Sequence, residues 1–221
     1  MARLVLSDAE RAAVTAAVAD AETRTDGEIV TIVTARSDDY HDVGLHYALA
    51  AVLALTAAAA IWPGAFTPFD RGWEAADLRR DLTALLFAQA AMFLIVRYTL
   101  AWMPLRLALT PRATKARRVR RRAVNYFRVG TESRTAGREG VLLYLSTEEH
   151  VAEIVVDEGV HRLVPAERWG EAMAALVDAV RDGRAGDGMV AAVSAIGTIL
   201  SEHLPKTTDN PNELPDRVIE L

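Results

Sequence analysis

The densest set of chemically able side chains in this sequence is Ser37-Asp38-Asp39-Tyr40-His41-Asp42. Carboxylates this close together can supply oxygen ligands to a hard cation such as calcium, which makes Asp38, Asp39 and Asp42 candidate metal ligands. His41, lying among them, would suit a softer metal. The competing reading is a solvated acidic loop. A second set, Glu148-Glu149-His150, and a third, Asp157, Glu158 and His161, each put carboxylates beside an imidazole, the pairing that acid–base work requires. An exposed polar turn is the alternative for both. The sequence has no Gly-x-Ser-x-Gly, no Walker A loop, no His-Glu-x-x-His and no Gly-x-Gly-x-x-Gly. It also has no cysteine, which excludes disulfides, thiolate metal sites and thiol nucleophiles.

Short elements must position these sets. Ser7 followed by Glu10 is a capping-box pattern. Val14, Ala17, Val18 and Ala21 then recur at helical spacing and predict an amphipathic helix over about residues 8–24. Asp26-Gly27 signals a turn, and the β-branched run Glu28 to Thr34 predicts a strand. The first acidic set thus follows a strand end, where α/β sheets place ligands. Gly140 to Ser146 and Val151 to Val156 read as two more strands, joined by a four-residue link that suits a hairpin. Parallel pairing of the first two strands would carry Glu148–His150 towards Asp38 and Asp39. It would leave Asp157–His161 at the opposite end of the sheet. Pro165, a favourable first-turn residue, opens a helix to Gly183 with Trp169, Met173, Leu176 and Val180 on one face. Another helix starts near Asp187 with Met189, Val193, Ile196 and Leu200 inward. The tail, 205–221, holds three prolines and ends in apolar Val218, Ile219 and Leu221, which can dock.

Apolar residues make up 51% of the chain, and the excess is concentrated. Leu45 to Trp62 contains no Asp, Glu, Lys or Arg, and Leu82 to Trp102 contains only Arg97. At the α-helical rise these stretches span roughly 27 and 31 Å, against a bilayer core of roughly 30 Å. They are read as transmembrane helices over 45–62 and 82–104, joined by an extracytoplasmic loop, 63–81. Buried core helices are the alternative. Tyr47, Trp62, Tyr98 and Trp102 lie where interfacial anchors belong, and Arg97 can snorkel. Small side chains at Ala50, Ala54, Ala57 and Ala58 would let helices approach closely, favouring self-association. The first ten residues lack the apolar core of a secretory signal.

Net charge is −5, yet Arg106 to Arg128 holds nine Lys/Arg and no acid. Basic flanks stay cytoplasmic, so the second span ends inside. Two crossings then keep both termini, with 1–44 and 105–204, on that side, free to build one sheet. The alanine- and arginine-rich composition is bacterial in character, so the expected location is a bacterial inner membrane. Arg112, Lys115, Arg117, Arg118, Arg120, Arg121, Arg122 and Arg128 alternate with Val119, Ala123, Tyr126 and Phe127, an apolar face at helical spacing. Such a helix could lie on the bilayer, apolar face down, its cations on anionic lipid head groups. Otherwise the arginines only set topology. No nucleic-acid partner is expected, because the run adjoins a membrane exit and matches no recognised motif.

The order helix, strand, basic helix, hairpin, two helices resembles the TPM domain, a family named after a thylakoid lumen protein, a photosystem II repair protein and a receptor modulator. The matching segments are Gly27-Glu28-Ile29-Val30, Arg138-Glu139-Gly140-Val141-Leu142-Leu143 and Glu153-Ile154-Val155-Val156-Asp157-Glu158-Gly159. The resemblance covers roughly 6–44 and 112–203. It implies an α/β/α sandwich with a small mixed sheet, here interrupted by a two-helix transmembrane hairpin. It also implies membrane-protein repair or receptor accessory work and, in some members, calcium binding or weak acid phosphatase activity. The chain departs from the family in two places. Asp157 stands where a Gly-x-Gly often begins, and His150 lies near the place of a basic residue that often opens the third strand. A membrane-anchored accessory protein that binds another membrane protein, rather than an enzyme, is therefore the expected function. The alternative is a weak calcium-dependent phosphatase at the membrane surface.

Overall fold

The computed structural model describes residues 6–62, 78–130, 139–207 and 216–221. Residues 63–77 of the expected extracytoplasmic loop and 208–215 of the tail lie outside these. In chain order the elements are α1 (Asp8–Glu22), β1 (Glu28–Thr34), α2 (His41–Ile61), α3 (Leu78–Thr99), α4 (Met103–Leu109) and α5 (Arg112–Gly130). They continue with β2 (Gly140–Ser146), β3 (Val151–Val156), α6 (Glu158–Leu163), α7 (Arg168–Arg181), α8 (Ala185–His203) and β4 (Ile219–Glu220). These elements form two units, Met1–Asp38 with Arg112–Leu221, and Asp39–Pro111.

The first unit is a sandwich. Its sheet runs β3-β2-β1-β4, with β1 parallel to both β2 and β4 and β2 antiparallel to β3. Every residue of β1 and β2 is buried, so both strands read as near-continuous apolar runs, as strands covered on both faces do. Ile29, Val33, Val141, Leu143 and Leu145 join Val14 and Val18 of α1, Leu176 of α7, and Met189 and Ile196 of α8 in one core. Val30, Ile32, Leu142 and Tyr144 face the other way and pack with Val119, Ala123 and Phe127 of α5. The capping box forms as expected, with Ser7 Oγ accepting from the Glu10 amide and the Ser7 amide donating to Glu10. A parallel β1–β2 pair needs a crossover. Residues 35–139 supply it, α5 providing the helix that covers the sheet.

Three features differ from the sequence expectation or extend it. The apolar face of α5 does not lie free for a bilayer, because Val119, Ala123 and Phe127 are buried against the sheet. Asp157, Glu158 and His161 do not form a simple turn: Asp157 caps α6, its side chain accepting from the Glu158 amide at 2.9 Å. Six residues are too few to announce a helix by periodicity. The tail does dock, as β4. The Leu221 amide donates to Val33 O at 3.1 Å, and Glu220 pairs with Arg11 at 2.6 Å.

The second unit is the helical hairpin of α2 and α3. Both helices are long and apolar enough to cross a membrane. Their large side chains point outward: Leu53 is 59%, Phe87 70% and Ile95 62% exposed. Gln89 Nε2 donates to Thr56 Oγ1 at 2.7 Å, a polar link between the two helices. α2 starts four residues before the expected span, behind Tyr40 in the left-handed region (φ 52°), so His41 and Asp42 fall in its first turn. α3 stops at Thr99 and does not run on to 104. Pro104 sits in the first turn of α4, a position a proline tolerates, but its ring would clash inside a continuous helix. Arg106 of α4 is 3% exposed. Its guanidinium donates to Leu100 O and Asp39 O, both at 2.6 Å, and lies 3.4 Å from His41 Nδ1.

Candidate functional site

The parallel register sets Thr34 against Ser146, so the loops leaving β1 and β2 run side by side. Thr147 and Glu148 amides donate to Thr34 O and Ala35 O at 3.0 Å each, extending the pairing past the strand ends. Ser37 sits at the centre of a polar network just beyond them. Its amide donates to both oxygens of Glu149, at 3.1 and 3.0 Å. Its carbonyl accepts from Arg122 Nε at 3.0 Å, and its hydroxyl shares a 3.0 Å hydrogen bond with Tyr144 Oη. The Ser146 hydroxyl also donates to Glu149. Ser37, Tyr144, Ser146 and Glu149 are all buried. The turn closes with His150 in the left-handed region (φ 52°). Around this centre, Arg36 pairs with Glu148 at 3.3 Å and Arg118 with Asp38 at 3.1 Å.

The chemistry of this arrangement is that of a clamp. Burial pushes the Tyr144 phenol up to about 12, so it remains protonated and offers Ser37 no base. Both Glu149 oxygens already accept from N–H or O–H groups, which is how a buried carboxylate is accommodated. Removing Glu149 would release the Ser37 amide and the Ser146 hydroxyl together.

The structure brings the first and second polar sets partly together. Asp38, Glu148 and Glu149 share this strand-end region. Asp39, His41 and Asp42 belong to the hairpin unit, where His41 Nε2 lies 3.8 Å from Asp39. Asp157 stays at the far end of β3, whose last residue, Val156, pairs with Val141 at the start of β2. Its amide donates to Gly140 O, while Glu158 pairs with Arg162. Among the described residues no three His, Asp or Glu side chains are grouped so as to hold a metal ion.

Two charged residues escaped the reading of the sequence. Glu22 is 8% exposed, and its Oε1 accepts from the Ile29 amide at 2.8 Å while Oε2 has no hydrogen-bond partner among the described residues. Burial, reinforced by Glu28 and Asp216, raises its carboxyl to about 8, against the pull of the Ile29 amide and Lys206. Its spacing from Val14 and Val18 places it on the buried stripe of α1, a visible signal. Arg106 carried no such signal, since it reads as the first member of the basic run.

Residues 105–199 match the family model of the TPM domain. Among solved structures, the chain is similar to the NMR structure of the BA42 protein from the psychrophilic bacterium Bizionia argentinensis. Identity is 18% over 98% of this chain and 95% of that one, with a TM-score of 0.57, a likeness of fold. No functionally curated protein matches the sequence.

Proposed function

Because residues 105–199 match the model of the TPM domain, we propose that the chain is an integral membrane protein whose TPM-like domain binds and assists other membrane proteins on the cytoplasmic face. The observation that carries this reading is the outward display of Leu53, Phe87 and Ile95 by two helices of bilayer-spanning length. In water, exposing this many large apolar groups on paired helices would invite aggregation. In hydrocarbon that penalty vanishes, and the internally bonded helix is a backbone that lipid accepts. The arginines from Arg112 onward set the orientation by the positive-inside tendency. The clamp around Ser37 contributes by holding the β1 and β2 loops rigid, not by reacting. Accessory work suits a strand-end network whose buried polar groups are occupied by one another.

Fractionation of cells producing the full chain tests this. The protein should sediment with membranes, resist extraction by high salt or alkaline carbonate, and dissolve in mild detergent. Recovery in the supernatant without detergent would overturn the proposal. For the accessory role, crosslinking in intact membranes should capture membrane proteins with the native hairpin. A variant carrying a flexible linker in place of 39–111 should capture none.

A further inference from the structure

From Arg117 onward, the arginines of α5 divide into two groups. Arg118, Arg120 and Arg122 are engaged within the sandwich. Arg118 pairs with Asp38 and Arg120 with Glu153, at 3.1 and 3.4 Å. Arg122 holds the Ser37 carbonyl and stands 5.8 Å over the Tyr126 ring. The second group, Arg117, Arg121 and Arg128, has no carboxylate within ion-pair distance among the described residues, and all three are exposed. They follow one another at intervals of four and seven, so they stand on one stripe of the helix. Val119, Ala123 and Phe127, on the opposite side, are buried in the sheet. The helix therefore offers solvent a row of cations and keeps its apolar face.

We propose that the Arg117–Arg121–Arg128 stripe is a contact surface for anionic phospholipid head groups. The inference rests on the membrane reading above and names what the domain touches there. Charge complementarity selects the occupant. The stripe is cationic in a chain of net charge −5, and no acidic residue interrupts Arg106 to Arg128. Guanidinium forks match phosphate geometry. Chain continuity points the same way, since Arg112 directly follows Pro111, the last residue of the hairpin unit. The apolar face is already used, so this contact involves no insertion of side chains into lipid. It is electrostatic, reversible and weakened by salt.

The chain has no cysteine, so Asn125→Cys gives a unique attachment point for a fluorophore on this exposed side. The labelled full-length protein is placed in nanodiscs of phosphatidylcholine alone, or of phosphatidylcholine mixed with phosphatidylglycerol. Accessibility to a neutral water-soluble quencher is then measured. Access should fall several-fold in the anionic discs and recover at high salt. The triple variant Arg117→Gln, Arg121→Gln, Arg128→Gln should show no fall. The corresponding triple Lys variant, which keeps charge and helix propensity, should retain most of it. Equal access in the two lipids, with the protein incorporated in both, would overturn this inference and leave the membrane reading intact. Protection conferred by added RNA in phosphatidylcholine discs would overturn it in favour of a nucleic acid. Failure to enter discs at all would overturn the membrane reading itself.

Discussion

Leucine behaves in opposite ways in the two units. In the sandwich, Leu142, Leu143 and Leu145 are sealed between helices on both faces of the sheet. In the hairpin, Leu53, Leu82 and Leu86 are all more than half exposed, as is Leu49. Burying a leucine side chain away from water is worth about 1.5–3 kcal/mol, so each hairpin leucine left this exposed would forgo part of that gain in water. The contrast teaches that an apolar side chain seeks a non-aqueous neighbour, and either protein or lipid serves. Each unit also carries a polar exception: Glu22, buried in the sandwich, and the Gln89–Thr56 bond linking the two hairpin helices.

The contrast can be broken first at the leucines. Leu143→Ala should cost about 2–5 kcal/mol, because its surroundings cannot collapse fully into the space. Phe87→Ala, at a 70% exposed position, should shift stability by less than about 0.5 kcal/mol. Chemical denaturation of both variants in the same detergent measures this, and equal losses would erase the distinction between the units.

A smaller effect concerns Glu22. Its carboxyl has an ordinary value of 4.5 and is raised to about 8 in the fold. The neutral form is the one the folded state favours. Its contribution is therefore complete below pH 4.5 and is lost progressively as the pH rises to 8. Glu22→Gln keeps the acceptor for the Ile29 amide and removes the titration. At pH 8 the variant should be the more stable protein, by on the order of 2–4 kcal/mol. Below pH 4.5 the two should converge. Parallel stability curves across this range would show that Glu22 is not a buried acid in solution. The smallest effect belongs to the hairpin's polar link. Gln89→Leu should weaken helix pairing by about 0.6 kcal/mol in lipid, seen as modestly faster amide exchange near Thr56. A loss several times larger would mean that the hairpin is held by polar contacts more than by packing.

Much of this architecture was legible in the residues themselves. Strands β1, β2 and β3 announce themselves as β-branched or apolar runs, and the two hairpin helices as long stretches with almost no charge. The capping box at Ser7 and Glu10 marks the start of α1 to the residue. What could not be read was what each face meets. The apolar side of α5 is obvious from Val119, Ala123 and Phe127, but sheet and bilayer are equally good partners for it until the sheet is assembled. The clamp was half visible. Asp38 and Glu149 stood out as charged sets, whereas Ser37 and Tyr144 become partners only through a register linking residues more than a hundred positions apart. Arg106 shows the limit most clearly: its role depends on two carbonyls, and carbonyls carry no signature in a sequence.

Arg106 joins the stretch before α2, through the Asp39 carbonyl, to the turn after α3, through that of Leu100. The hairpin is thus tied shut at its own root by one guanidinium. A loop whose ends are already joined adds little closure entropy when it grows. Whole helical turns can therefore be added to or taken from both arms while the root stays the same width. The strand register of Thr34 with Ser146 would not sense the change.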